Sequence, residues 1–384
     1  MTIPYSKQAV SKKDIDQVFK VLKSDFLTQG PKVENFESEI SKYCGSKYSV
    51  AVNSATSALH VALMSLDLKK SDIVWTSPIT FVASANAAIY CGAKIDFVDI
   101  DKDTFNMCPI KLKKKLTAAK EKNLLPKVII PVHMAGQSSD AKKIHKLAKK
   151  YGIKIVEDAS HSIGGKYLDT KIGSCKYSDI TVFSFHPVKI ITTAEGGIAI
   201  TNNKKLAEKM KIFRSHGIER DPSKFKKNKE GPWYFEQQFL GWNYRMSDIH
   251  AALGLSQLKK IDSFVSKRNL IAKKYDTELL KLPVKTPIVR DDIYSSYHLY
   301  ILLFENLDIR NEIFNIFRKM KILVNIHYIP VHLHPFYNSK GFKKGDFPIS
   351  ENYYSRAMSI PIYPSLRKTE QKLVIDTLKN FFDK

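Results

Sequence analysis

The sequence predicts an α/β fold: a mostly parallel central sheet flanked by helices, followed by a smaller C-terminal α+β part. Three observations point to it. Seven short runs are strand-length, β-branched and apolar at successive positions: YSVAVN (48–53), DIVWTS (72–77), KIDFVDI (94–100), KVIIPV (127–132), KIVED (154–158), ITVFSF (180–185) and GIAIT (197–201). Runs apolar on both faces belong to a sheet covered on both sides. Helical patterns near 55–66, 81–90, 109–121 and 138–151 separate several of them, the rhythm of parallel βα units. Beyond about residue 250 the rhythm changes to long helices, so the expected division is a large α/β domain with an N-terminal arm over 1–255 and a linking helix with a smaller α+β domain over 256–384.

The elements follow in order. SKKDIDQVFKVLKS opens with Ser11 and Asp14 in capping-box spacing, and Ile15, Val18, Phe19 and Leu22 mark one helical face. PKVENFESEISKYCG repeats the pattern with Val33, Phe36, Ile40 and Tyr43 and stops at Gly45. The strands and helices named above then alternate. After them, SDIHAALGLSQLKKIDSFVSKRNLIAKKYDTELL reads as long helices, YHLYILLF (297–304) as a strand, and the segments near 309–320 and 367–382 as helices.

Composition excludes several classes. With 43% apolar residues the chain is globular, and its apolar stretches are broken well short of the roughly 18 residues a membrane span needs. The opening MTIPYSKQAVSKKD has no apolar signal core, and the four cysteines are far apart with no C-x-x-C, so a reduced, cytoplasmic setting without a metal or redox pair is expected. The net charge of +24 is dispersed along the chain and comes with no nucleic-acid-binding signature. It reads as a lysine-rich surface, or as a field that attracts phosphorylated small molecules.

A few residues stand out as chemistry. Ser54, Ala55 and Thr56 sit at a strand-to-helix turn, either as a plain cap or as a cradle where backbone N–H groups meet a phosphate. Asp158 ends a strand, where open α/β sheets bind ligands and where helix caps also occur. His161 follows three residues later, as a loop histidine or a ring-contacting group. Lys189, alone among apolar neighbours in SFHPVKIITTAEGG, is either a snorkelling side chain or a desolvated, nucleophilic amine. His327, His332 and His334 form a polar loop that lacks the carboxylate or cysteine of a metal set. Taken singly, each has an ordinary reading. Taken together, a phosphate turn, the aromatic Phe81, a strand-end carboxylate, Ser184 and a lone lysine are what one cofactor, pyridoxal 5′-phosphate, requires.

The chain resembles the DegT/DnrJ/StrS family of sugar-nucleotide aminotransferases, within the fold-type-I pyridoxal phosphate enzymes. The resemblance runs from LTQGPKVENFE through NSATSALHVAL, TSPITFVASANAAIYCGAKIDFVDID, PVHMAGQ, VEDASHSIGG and SFHPVKIITTAEGG to GWNYRMSDIHAALGLSQL and HYIPVHLHP. It implies that Lys189 is joined to the cofactor, that Asp158 meets the pyridinium nitrogen, that Phe81 stacks on the ring and that Ala55, Thr56 and Ser184 hold the phosphate. His161 falls where many relatives carry Gln, near the cofactor's phenolic oxygen and among the catalytic residues. Asn243 would reach the cofactor phosphate of a neighbouring subunit, so a homodimer is implied; Arg245, His327 and Tyr328 would face the substrate. The implied reaction moves the amino group of L-glutamate to the 4-keto carbon of a UDP-linked 4-keto-6-deoxy-N-acetylhexosamine, with neither nucleic acid nor membrane as partner. The alternatives are another nucleotide-linked keto-sugar, or sugar dehydration, whose catalysts in this family replace the lysine, typically by His; Lys189 argues against dehydration.

Overall fold

The computed structural model describes residues 2–227 and 230–383. Two helices, α1 (Lys12–Leu22) and α2 (Pro31–Cys44), precede the first strand. The large sheet comprises β1 (Tyr48–Val52), β2 (Ile73–Thr76), β3 (Lys94–Phe97), β4 (Val128–Ile130), β5 (Lys154–Asp158), and, after the short hairpin β6 (Lys166–Tyr167) and β7 (Thr170–Lys171), β8 (Ile180–Ser184) and β9 (Gly197–Thr201). Its order is β1-β9-β8-β5-β4-β2-β3, with β9 alone running against the others. The seven strands are the seven runs read from sequence, and the mostly parallel sheet is as predicted.

Helices α3 (Ala55–Ser65), α4 (Ala83–Tyr90), α5 (Pro109–Glu121), α6 (Ala141–Lys150) and α7 (Lys204–Phe213) connect the strands or follow them. Alternation along the strands sorts the packing. Val74, Val128 and Val156 pack towards α3 and α4, whereas Trp75, Ile129 and Ile155 pack towards α5 and α6. This is why most of the strand runs are apolar on both faces. Every residue of α3 from Ser57 to Leu63 is buried, so that helix is enclosed on all sides and its first turn is held rigidly.

Gly197 makes the tightest of these approaches possible. A Cβ there would lie 2.5 Å from backbone atoms of Ser54 and Ala55, at the turn from β1 into α3. Gly197→Ala should therefore push that turn off β9. Overpacking of this kind costs about 1–3 kcal/mol, so a thermal melt should show a midpoint several degrees lower, with weakened cofactor retention.

The remainder of the chain contributes strands β10 (Ile218–Glu219) and β11 (Glu236–Gln237), helices α8 (Asp248–Leu258) and α9 (Ile261–Leu279), and strand β12 (Ile293–Tyr294), which pairs with β6. Strands β13 (Tyr300–Leu303) and β14 (Ala357–Ile360) form a two-stranded antiparallel sheet, packed with α10 (Leu307–Lys319), α12 (Pro348–Arg356) and α13 (Lys368–Phe382); the short α11 (Pro335–Asn338) lies between. A separate core of Tyr275, Tyr300, Phe304, Phe317, Met358 and Leu378 stabilises this part, and Ile3 from the N-terminal arm joins it. Among the described residues no helix is long and apolar enough to cross a membrane.

The apolar face read from sequence on α1 has no cover in the chain. The capping box at Ser11 and Asp14 forms, but the apolar face of α1 is not core: Ile15, Phe19 and Leu22 are each more than half exposed. Asp14 and Val21 face inward instead, and Asp14 accepts hydrogen bonds from Gln257 (3.0 Å) and Lys260, which pins α1 across α8 and its end. The stripe of apolar residues is left uncovered in a single chain.

Candidate active site

The carboxyl ends of β5 and β8 and the amino end of α3 enclose a cavity of about 440 Å³. Open α/β sheets bind ligands at such strand ends. Ala55, Thr56, Phe81, Asp158, His161, Ser184, Lys189, His327 and Tyr328 all line it, so most of the residues singled out in sequence converge.

Ser54 caps α3 by accepting a hydrogen bond from the Ser57 amide (3.1 Å). The first N–H groups of the helix, at Ala55 and Thr56, have no intrahelical acceptor and face the cavity end with the positive pole of the helix dipole. Ser184, buried at the end of β8, adds a hydroxyl. This is an anion cradle. Asp158 is 5% exposed, and its two oxygens accept from Ser84 Oγ (2.5 Å) and from the Ser160 amide (3.1 Å) and hydroxyl (2.6 Å). Thr80 in turn bonds Ser84 (2.7 Å). A carboxylate held this way has a fixed orientation and remaining acceptor capacity.

Lys189 is partly buried beyond β8. Burial pushes its ammonium down to about 8, against the opposing attraction of Asp158. The histidines near it are held neutral. Burial first, and the Lys189 charge second, holds His161 well below its usual value and His327 down to about 3. His161 Nε2 bonds the Tyr328 hydroxyl (3.1 Å), while its buried Nδ1 has no partner among the described residues. Phe81, 59% exposed, stands at the mouth with its ring 6.1 Å from that of Tyr328.

These features fit pyridoxal phosphate: a cradle for a dianion, an oriented carboxylate for a protonated ring nitrogen, an amine that is a nucleophile near neutral pH, and an orphaned imidazole nitrogen to meet a phenolic oxygen. The other two histidines of the 327–334 loop lie elsewhere. His332 bonds Glu351 (3.0 Å), His334 borders a separate hollow, and no grouping of three or more metal-ligand side chains occurs among the described residues.

Two of the named residues lie outside this cavity: Asn243, expected at a neighbouring subunit's cofactor, and Arg245, expected on the substrate side. Asn243 is exposed, and Arg245 borders a different hollow with Arg214, His216 and Arg220. Conversely, Tyr5, Ser84, Ser160 and His298 were not read from sequence. Ser84 lies one helical turn after Phe81 and Ser160 two residues after Asp158, so local spacing held a signal for both. Tyr5 and His298 gave none. The N-terminal arm brings Tyr5 against His327 (5.2 Å between rings), and Ser6 Oγ bonds the Val188 carbonyl (2.9 Å) next to Lys189. The His298 ring lies 4.4 Å from that of His161, tilted by 44°.

The fold and site fit a pyridoxal phosphate enzyme, and comparison with known proteins gives the family. The chain belongs to the DegT/DnrJ/EryC1/StrS aminotransferase family, whose model matches residues 8–379. It is a pyridoxal phosphate-dependent sugar aminotransferase. It is 40% identical over 385 residues to the UDP-4-amino-4,6-dideoxy-N-acetyl-beta-L-altrosamine transaminase of Campylobacter jejuni subsp. jejuni serotype O:2, covering 100% of this chain and 98% of that one. Among solved structures, Helicobacter pylori PseC, an aminotransferase involved in the biosynthesis of pseudoaminic acid, superposes with a TM-score of 0.90 at 32% identity over the whole of both chains. Spr1654 from Streptococcus pneumoniae in its PLP form gives 0.91 at 29% identity, covering 100% of this chain and 99% of that one.

Capture of the cofactor by the apoenzyme requires an uncharged amine. With the Lys189 ammonium near 8, the neutral fraction is about a tenth one unit below and about half at that value. The rate of holoenzyme formation should therefore rise with pH through about 8 and level off above it. Stopped-flow absorbance after mixing apoenzyme with pyridoxal phosphate measures this.

Proposed function

We propose that the enzyme transfers the amino group of L-glutamate to the 4-keto carbon of a UDP-linked 4-keto-6-deoxy-N-acetylhexosamine. The product is UDP-4-amino-4,6-dideoxy-N-acetyl-β-L-altrosamine, for pseudaminic acid biosynthesis. The observation that carries the choice of sugar is the end-to-end 40% identity with a transaminase of that name.

When bound, pyridoxal phosphate supplies an aldehyde for amine capture and a ring that delocalises the electron pair left by a departing proton. The protein does the rest. Ala55, Thr56 and Ser184 hold the phosphate, and Phe81 covers the ring. Asp158, fixed by Ser84 and Ser160, holds a proton on the ring nitrogen. Lys189, released by the incoming amine, takes the α-proton of glutamate as a base and later delivers a proton to the sugar carbon from the same side, which sets its configuration. Its lowered proton affinity keeps it competent in both directions near neutral pH. His161, neutral, donates towards the phenolic oxygen. His327 and Tyr328 contact the substrates, and Arg245, outside the cavity of its own chain, would reach them only from a neighbouring copy.

The active unit is proposed to be a homodimer. The uncovered stripe of Ile15, Phe19 and Leu22, with Phe26 54% exposed just beyond it, supports a second copy as its cover. Asn243, exposed and outside its own cavity, is then free to complete the neighbour's phosphate site. Mixing Lys189→Ala with Asn243→Ala chains tests this. After random reassortment about a quarter of the sites regain both residues, so about a quarter of wild-type activity should return. No recovery would refute shared sites. The sugar is tested with a panel of UDP- and dTDP-linked keto-sugars and labelled glutamate, the products being assigned by NMR. Preferred amination of any other sugar would overturn the assignment.

A further inference from the structure

We propose that the paired outer faces of α5 and α6 form a docking surface for an anionic lipid bilayer. The charge that looks dispersed along the sequence is gathered in space. Residues 109–127 and 141–154 contain 13 lysines and one acid, Glu121, a net +12 and half of the chain's +24. The two helices lie side by side. Leu112, Leu116 and Ala119 of α5 and Ile144 and Ala148 of α6 share one core over the same sheet face. That burial turns the opposite sides of both helices to solvent.

Five of the 13 lysines are neutralised by carboxylates, as in Lys111 with Asp99 and Lys154 with Asp179. The other eight have no carboxylate partner among the described residues, and all are exposed: Lys113, Lys114, Lys120 and Lys122 in or just after α5, and Lys142, Lys146, Lys149 and Lys150 on α6. Same-sign charges at this density repel one another and are stabilised by an extended anion.

Three features favour lipid over nucleic acid. All 13 cations are lysine and none is arginine, so the flat fork that grips phosphate and stacks on bases is missing. No aromatic side chain is exposed along the two helices, so bases have no stacking platform. Two apolar side chains do project from this face of the molecule, at either end of α5: Ile110, 79% exposed, and Leu124, 53% exposed. Lysines around a few exposed aliphatic residues suit an acidic headgroup layer. The site is compatible with catalysis there, because α5 and α6 cover the sheet face opposite α3, whose amino end forms the cofactor cradle.

The test is sedimentation of holoenzyme with vesicles of phosphatidylcholine containing about 30% phosphatidylglycerol, against phosphatidylcholine alone, at low and high salt. The expected result is binding to the anionic vesicles only, lost at about 1 M salt, where the screening length falls to about 3 Å. A K113E/K114E/K146E/K149E variant should bind at least about tenfold more weakly with unchanged aminotransferase activity. A K267E/K273E/K319E/K344E variant, equal in net charge, should bind like wild type. Absence of vesicle binding, an equal loss in both variants, or capture of single-stranded RNA by this face without vesicle binding would overturn the proposal.

Discussion

Lys189→Ala should lower kcat by about 10⁴-fold or more, because in the proposed mechanism one substitution removes both the covalent anchor of the cofactor and the group that moves the proton. The fold should not suffer. Lys189 carries a desolvated charge, as its lowered proton affinity records, and the protein gains nothing from it but chemistry. The variant apoenzyme should therefore melt at the wild-type temperature or slightly above. After addition of pyridoxal phosphate, the visible spectrum of the variant should show the cofactor bound without a covalent link and removable by dialysis. Added alkylamines should restore a small part of the proton-transfer rate. A variant retaining near-wild-type turnover would refute the role assigned to Lys189.

Asp158→Ala should be the next most damaging change, at about 10²–10³-fold in kcat. The loss is electrostatic. Asp158 is nearly inaccessible and receives hydroxyl hydrogen bonds from Ser84 and Ser160, so its charge is directed into the cavity rather than spent on water. In the proposed mechanism, without this carboxylate the ring nitrogen of a bound cofactor would lose its proton and the ring its power to delocalise charge. A cofactor methylated at that nitrogen carries a fixed positive charge and should recover much of the activity in Asp158→Ala while adding nothing to wild type. Ser84→Ala, which loosens the carboxylate without removing it, should cost only about tenfold. If the methylated cofactor gives no rescue, the carboxylate does something other than hold that proton.

The sheet was legible because its strands are buried on both faces and most strand runs are therefore apolar on both, bounded by helical periodicity. The cradle at Ser54–Thr56, the carboxylate at Asp158 and the amine at Lys189 were legible for a related reason. All three sit at or just beyond strand ends, so local pattern and position in the fold coincide. Tyr5 and His298 were not, because Tyr5 and His327 are more than three hundred residues apart in sequence, and His298 is set beside His161 only by packing of the C-terminal part. The stripe on α1 shows a different limit. Periodicity marks an apolar face but not what covers it, and here the single chain leaves Phe19 and Leu22 in solvent. Charge shows a third: lysines in two separate segments form one face only once α5 packs beside α6.

Borohydride reduction of the holoenzyme followed by peptide mass mapping tests the central claim most directly. One phosphopyridoxyl group per chain, on Lys189 and on no other lysine, is the predicted result. A colourless preparation that gains no mass after incubation with pyridoxal phosphate, or an adduct at another lysine, would contradict it.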